Sequence, residues 1–177
     1  MKIAIIGYSG AGKSTLAEKL SNYYSIPKLH MDTLQFQPGW QDSDREWMLT
    51  EMKNFLTKHE AWVVDGNYSW CYYEERMQEA DQIIFLNFSP WTCLFRAFKR
   101  YLTYRGKVRE SMAAGCPERF DWEFIRWILW DGRTKNAKER YQRVQETYLE
   151  KVIVLQSQKE IDHFLDNLVH NKKNQRT

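Results

Sequence analysis

Residues Gly7-Tyr8-Ser9-Gly10-Ala11-Gly12-Lys13-Ser14 have the types and spacing of a loop that wraps a chain of phosphates. Its glycines let backbone N–H groups close on phosphate oxygens, where side chains would hold them apart. Lys13 would set a cation between the β- and γ-phosphates. The Ser14 hydroxyl is a hard oxygen donor suited to Mg²⁺. A helix starting near Lys13 would add its unpaired N–H groups and the positive end of its dipole. Gly7, Gly10, Ala11, Gly12, Lys13 and Ser14 are therefore candidate contacts to the phosphates of a nucleotide.

Two carboxylates end apolar runs. Asp65 closes Trp62-Val63-Val64-Asp65 and Asp32 closes Leu29-His30-Met31-Asp32. In open α/β sheets, sites gather at the carboxyl ends of strands. There Asp65 could hold the water shell of a Mg²⁺ ion, or serve only as a turn residue before Gly66. Asp32 could accept the proton of an acceptor hydroxyl, or merely cap a turn. His30 is read as a packed strand residue.

Arginines supply the third component. Arg96 and Arg100 lie four apart on one helix, a spacing at which like charges repel unless an anion sits between them. A phosphoryl group in transfer is such an anion. Arg105, Lys107 and Arg109 extend the basic run, and Arg126, Arg133 and Arg140 follow it. Arg100 and Arg133, which flank an aperiodic stretch, are read as functional. The others are read as a solvated basic face. Of the eight tryptophans, Trp122, Trp127 and Trp130 crowd one segment, and most are expected in the core.

The elements that must position these groups follow from apolar periodicity. Strands are predicted at Lys2–Ile6, Pro27–Met31, Ala61–Asp65, Gln82–Phe88 and Lys151–Leu155, separated by helices, which signals a parallel α/β sheet. Ser43 with Glu46 suggests a capping box before an apolar face of Trp47, Met48, Met52, Phe55 and Leu56. Trp91, Leu94, Phe95, Phe98 and Leu102 form the apolar stripe of the arginine helix. The stretch from Arg105 to Phe120 has no period and reads as a mobile loop. Helices resume over Phe120–Trp130, about Lys135–Tyr148 and Glu160–Leu168, and a polar tail is expected to fray from His170.

With 177 residues and 43% hydrophobic content, one domain over residues 1–169 is expected, with the tail at 170–177. A net charge of +3 suits a binder of anionic phosphates and is weak evidence for nucleic-acid binding. The three cysteines are scattered, without zinc-ligand spacing. No apolar run is long enough to span a bilayer, and the first residues read as a core strand, so a cytoplasmic protein is expected.

The order of motifs resembles the adenylate-kinase-type P-loop kinases. The likeness rests on GYSGAGKST, WVVDGNY, the arginine helix after QIIFLNF, and the terminal KVIVLQSQKEIDHFL. IIGYSGAGKSTLA, LHMDTLQFQPGW and WILWDGRT are similar to stretches of a bacterial group labelled DNA topology modulation proteins. The resemblance implies a three-layer α/β P-loop NTPase fold whose five-stranded parallel sheet has the order 2-3-1-4-5. It implies that Gly10 to Thr15 cradle the triphosphate of ATP and that Asp65 is the strand-end acid. Arg96, Arg100, Arg133 and Arg140 would surround the transferring phosphate. Residues 105–118 would form a lid, and Gln156 to Gln158 would lie near the adenine. Where related kinases carry an arginine for the acceptor phosphate, this chain has Asp65-Gly66-Asn67-Tyr68-Ser69. Asn67 and Arg76 then become candidate acceptor contacts. The expected activity is ATP- and Mg²⁺-dependent phosphoryl transfer to a small-molecule acceptor, with the oligomeric state open. Behind it rank a nucleic-acid-binding regulator that binds ATP and an NTP-hydrolysing switch.

Overall fold

The computed structural model describes residues 1–174. Strand β1 (Lys2–Gly7) leads through the glycine loop into helix α1 (Lys13–Tyr24). β2 (Lys28–His30) is followed by α2 (Asp32–Gln35) and a small hairpin, β3 (Phe36–Gln37) with β4 (Gln41–Asp42). Then come α3 (Arg45–Lys58), β5 (Trp62–Asp65), α4 (Tyr73–Glu79), β6 (Gln82–Leu86) and α5 (Pro90–Tyr104). After the lid stretch the chain forms α6 (Trp122–Leu129), a 3-10 turn (Asp131–Arg133), α7 (Lys135–Thr147), β7 (Val152–Leu155) and α8 (Gln158–Asn174).

The central sheet is parallel and five-stranded, in the order β2-β5-β1-β6-β7. Counted over its own strands alone, that is the expected 2-3-1-4-5. The labels differ because the hairpin β3–β4, which periodicity did not predict, forms a separate two-stranded sheet. Ile3 pairs with Val63 on one side, and Ile5 with Ile84 on the other. Ile3, Ile5, Val63 and Ile84 are fully buried, because helices cover both faces of the sheet. Among the described residues no helix is long and apolar enough to cross a membrane.

Several local expectations change. The cap of α3 is Asp44, whose carboxylate accepts from the Trp47 N–H at 2.8 Å. Ser43 does not cap. Within α5 the buried residues are the small Cys93 and Ala97; of the apolar stripe, Leu94 packs partly buried on the core while Trp91, Phe95, Phe98 and Leu102 face outward. That orientation carries Arg96 and Arg100, on the opposite side, into the cavity described below. Most tryptophans are likewise not core: Trp62 is fully buried, whereas Trp47, Trp91, Trp122, Trp127 and Trp130 are exposed.

The lid stretch is aperiodic, as expected, but it has its own packing. Met112, Ala113 and Cys116 form a small buried cluster against Phe36 and Trp40. Three hydrogen bonds dock it on the β3–β4 hairpin: Gly39 N to Gly115 O, Cys116 Sγ to Gln37 O and Trp40 Nε1 to Pro117 O. α8 continues beyond the expected end at Leu168 to Asn174. The remainder of the expected tail, 175–177, lies outside the described residues.

Candidate functional site

The glycine loop turns because Gly10 and Gly12 take φ of 81° and 97°, a region costly for residues with a Cβ. A Cβ on Gly10 would also sit 2.5 Å from the Cys93 carbonyl oxygen. Asn67 clamps the loop's first residue. Its Oδ1 accepts from Gly7 N at 3.0 Å, and its Nδ2 donates to Gly7 O. Lys13 turns back on the loop. Its Nζ donates to Gly7 O at 2.9 Å and Tyr8 O at 3.2 Å. Burial lowers its pKa, while the negative charges of Asp32 and Asp65 act to raise it.

Asp65 is nearly buried at the end of β5. Its Oδ2 accepts from Ser14 Oγ at 2.9 Å, and its Oδ1 lies 2.5 Å from His30 Nδ1. His30 is therefore a buried partner of the carboxylate, a role that the packed-strand reading missed. Ser14 and Asp65 form a pair of hard oxygen donors beside the phosphate loop. Among the described residues no group of three or more His, Cys, Asp or Glu side chains could hold a metal ion. The pair suits Mg²⁺, which binds through one or two protein oxygens, waters and phosphates rather than a full protein cage.

Asp32 opens α2 and lines the same cavity. The Tyr68 hydroxyl donates to its Oδ1 at 2.7 Å. Burial foremost, then the Asp32 carboxylate, push the Tyr68 phenol far up, so it stays a protonated donor. Sequence reasoning missed Tyr68, because only the fold brings β5's exit loop against α2.

Of the arginines singled out for the site, four line the cavity and Arg76 does not. Arg96 and Arg100 line the cavity beside the loop. Arg96 Nη1 donates to Gln158 Oε1 at 2.7 Å, and its guanidinium lies over Phe88. Thus Gln158 holds Arg96, while Gln156 lines a second, shallower cavity that also includes Tyr8 and Arg133. Arg133 lies 3.7 Å over the Tyr8 ring and donates to the carbonyls of Ile128 and Phe88. Arg140 lines the main cavity between the rings of Tyr73 and Tyr141. Arg76 does not reach it. It is fully buried and donates to the carbonyls of Gly66, Tyr68 and Tyr72. The expectation that Arg76 contacts the acceptor fails, because the Asp65–Tyr72 segment folds over its guanidinium.

The 105–118 segment adds a group with no distinguishing sequence signal. Glu118, like Glu110, sits in a basic run, yet only Glu118 is buried. It joins Arg100 and Arg109. Burial foremost, then Arg109, lower the pKa of Arg100. The glycine loop, Asp32, Tyr68 and, from the 105–118 segment, Arg109, Met112 and Glu118 all line one cavity of about 1120 Å³.

No family profile matches the chain, and no curated relative matches it. The likeness to DNA topology modulation proteins therefore rests on the sequence stretches alone. Among solved structures the chain is similar to a shikimate kinase from Bacteroides thetaiotaomicron, with 18% identity, a TM-score of 0.52, and 98% of each chain covered. It is also similar to a deoxyadenosine kinase from M. mycoides, solved with dCMP and dCDP, with 19% identity, a TM-score of 0.52, and 100% of each chain covered. The chain has the P-loop kinase fold.

Proposed function

We propose that the chain is a kinase that transfers the γ-phosphoryl group of ATP to a small-molecule acceptor with the help of Mg²⁺. The observation that carries this reading is the single cavity that joins the phosphate loop to Asp32 and Tyr68. Its volume of about 1120 Å³ exceeds the roughly 300–1,000 Å³ usual for one ligand. That leaves room for a donor and an acceptor together, whereas a hydrolytic switch has to house only a nucleotide and a water.

Each residue then has a task. The loop amides and Lys13 bind the β- and γ-phosphates, which requires Lys13 to leave the carbonyls of Gly7 and Tyr8. Ser14 and Asp65 hold Mg²⁺, which when bound neutralises phosphate charge. Tyr68 fixes Asp32 through one carboxylate oxygen, leaving the other for the acceptor. Asp32 accepts the acceptor hydroxyl's proton as the new O–P bond forms and the bond to the β-phosphate oxygen breaks. Arg96 and Arg100 face the charge on the transferring oxygens, and Arg133 and Arg140 border the same cavity. Asn67 acts by holding the loop rather than by touching the acceptor. Most of the catalysis is positioning and charge stabilisation.

The test is ADP release from ATP and Mg²⁺ across nucleosides, nucleoside monophosphates and hydroxylated sugars. Release that depends on an acceptor is expected. Release that is the same with and without every acceptor would make the chain a hydrolase. The metal assignment has its own test. Asp65→Asn is expected to move the Mg²⁺ dependence of turnover to about ten- to a hundredfold higher concentration, the usual cost of disturbing a group that supports a metal. An unchanged Mg²⁺ curve would reduce Asp65 to an anchor for Ser14 and His30.

A further inference from the structure

Near Asp32 the cavity carries Arg100 and Arg109, and these two arginines share one buried carboxylate. The Glu118 side chain is only 4% exposed. Its Oε1 accepts from Arg100 Nε at 2.8 Å and lies 2.6 Å from Arg100 Nη2. Its Oε2 accepts from Arg109 Nε at 2.5 Å, and Arg109 Nη1 donates to Ser111 Oγ at 2.9 Å. Arg119, the next cation along, lies over the Trp40 ring and pairs with Asp121 at 3.5 Å. Arg76 lies beneath the cavity floor, spent on carbonyls. Asp32 adds a further negative charge. The remaining wall is aromatic, made by Phe36, Trp40, Tyr68 and Trp70.

We propose that Glu118 stands where the anionic group of an acceptor would bind, and so sets the acceptor class. The acceptor is an uncharged compound with a free hydroxyl on a ring-shaped body, and not a phosphorylated or carboxylated one. This rests on the phosphoryl-transfer reading above. An anionic group entering between Arg100 and Arg109 has two routes. It can displace Glu118, which leaves a buried carboxylate without its partners, or it can sit beside it and meet a like charge. Both are costly in a dehydrated site. An uncharged hydroxyl body meets neither cost. It can pack its ring on the aromatic wall and present its hydroxyl to Asp32. Glu118 is thus a specificity-determining residue that acts through the two arginines it engages.

The experiment compares a nucleoside with its 5′-monophosphate, and a cyclic sugar with its phosphate, on the wild type and on Glu118→Gln. Acceptor binding is measured by calorimetry on protein saturated with Mg²⁺ and a non-hydrolysable ATP analogue. Acceptor-dependent ADP release is measured in parallel. In the wild type, the uncharged member of at least one pair should bind at least about tenfold tighter than its phosphorylated partner, the order of effect of one charge-assisted hydrogen bond. The nucleoside and sugar arms distinguish a base from a polyol as the ring. Glu118→Gln should free Arg109, and the ratio should move toward the phosphorylated member by about tenfold or more. Tighter wild-type binding of the phosphorylated members overturns the proposal. So does absence of binding by every acceptor, or an unchanged ratio in a variant that melts cooperatively. If the variant does not fold, the wild-type ratios decide alone. Binding without turnover would defeat the kinase reading while still deciding the acceptor class.

Discussion

Lys13→Ala should lower kcat/KM for phosphoryl transfer by about a hundredfold to a thousandfold, the range seen on removing one preorganised charge-stabilising donor, while the protein stays folded. Both halves of that expectation follow from local contacts. The Lys13 ammonium rests on two carbonyls, Gly7 O and Tyr8 O. Each keeps another partner when the lysine is gone. Gly7 O still accepts from Asn67 Nδ2, and Tyr8 O still accepts from Ala11 N at 3.1 Å. No carbonyl is orphaned, and the positive-φ glycines that shape the loop are untouched. What disappears is the cation that can leave those carbonyls for the phosphates. ADP release and thermal unfolding, measured on the same preparation, check both halves. Turnover within tenfold of wild type would remove Lys13 from the chemistry. Loss of cooperative unfolding would show the loop depends on the lysine for its shape.

Arg76→Ala should destabilise the fold by about 2–4 kcal/mol, through a buried cavity and lost hydrogen bonds to backbone oxygens. Arg76 is fully buried, and burial lowers its guanidinium to about 10, so it remains cationic at neutral pH. It donates to Gly66 O, Tyr68 O and Tyr72 O. Tyr68 O keeps Cys71 N, and Tyr72 O keeps Arg76 N, so the orphaned acceptor is Gly66 O. Removing a desolvated charge offsets part of the loss, which holds the estimate below the largest core effects. The segment that loses support also carries Asn67, the clamp on the phosphate loop, and Tyr68, the partner of Asp32. Urea unfolding measures the change. Unaltered stability with a raised KM for the acceptor would instead make Arg76 a substrate contact.

The phosphate loop and the central sheet were legible in the sequence because both are written locally. Gly12-Lys13-Ser14 needs no tertiary partner to be recognised, and runs such as Ile83-Ile84-Phe85-Leu86 announce a strand buried on both faces. Asp32 and Asp65 were legible because each ends such a run. Groups defined by contacts between distant segments were not. Arg76 has the same sequence character as any arginine on a short helix, and only the loop that folds over it makes it structural. Glu118 differs from Glu110 by burial alone. The apolar stripe of α5 was legible as a stripe, but its exposure was not. Periodicity identifies faces, and here the small and arginine-bearing face packs inward. The cap of α3 went to Asp44 over Ser43 by a one-residue difference in where the helix begins, a boundary that pattern leaves open.

The central claim is that a phosphoryl group moves from ATP to a hydroxyl and not to water. Phosphorus NMR of ATP, Mg²⁺ and an uncharged hydroxylated acceptor follows that atom directly. The account predicts that the γ-phosphate resonance is replaced by a new phosphomonoester resonance in step with formation of ADP, and that Lys13→Ala slows its growth by about a hundredfold or more. Appearance of inorganic phosphate alone, at the same rate whether or not acceptor is present, would contradict it.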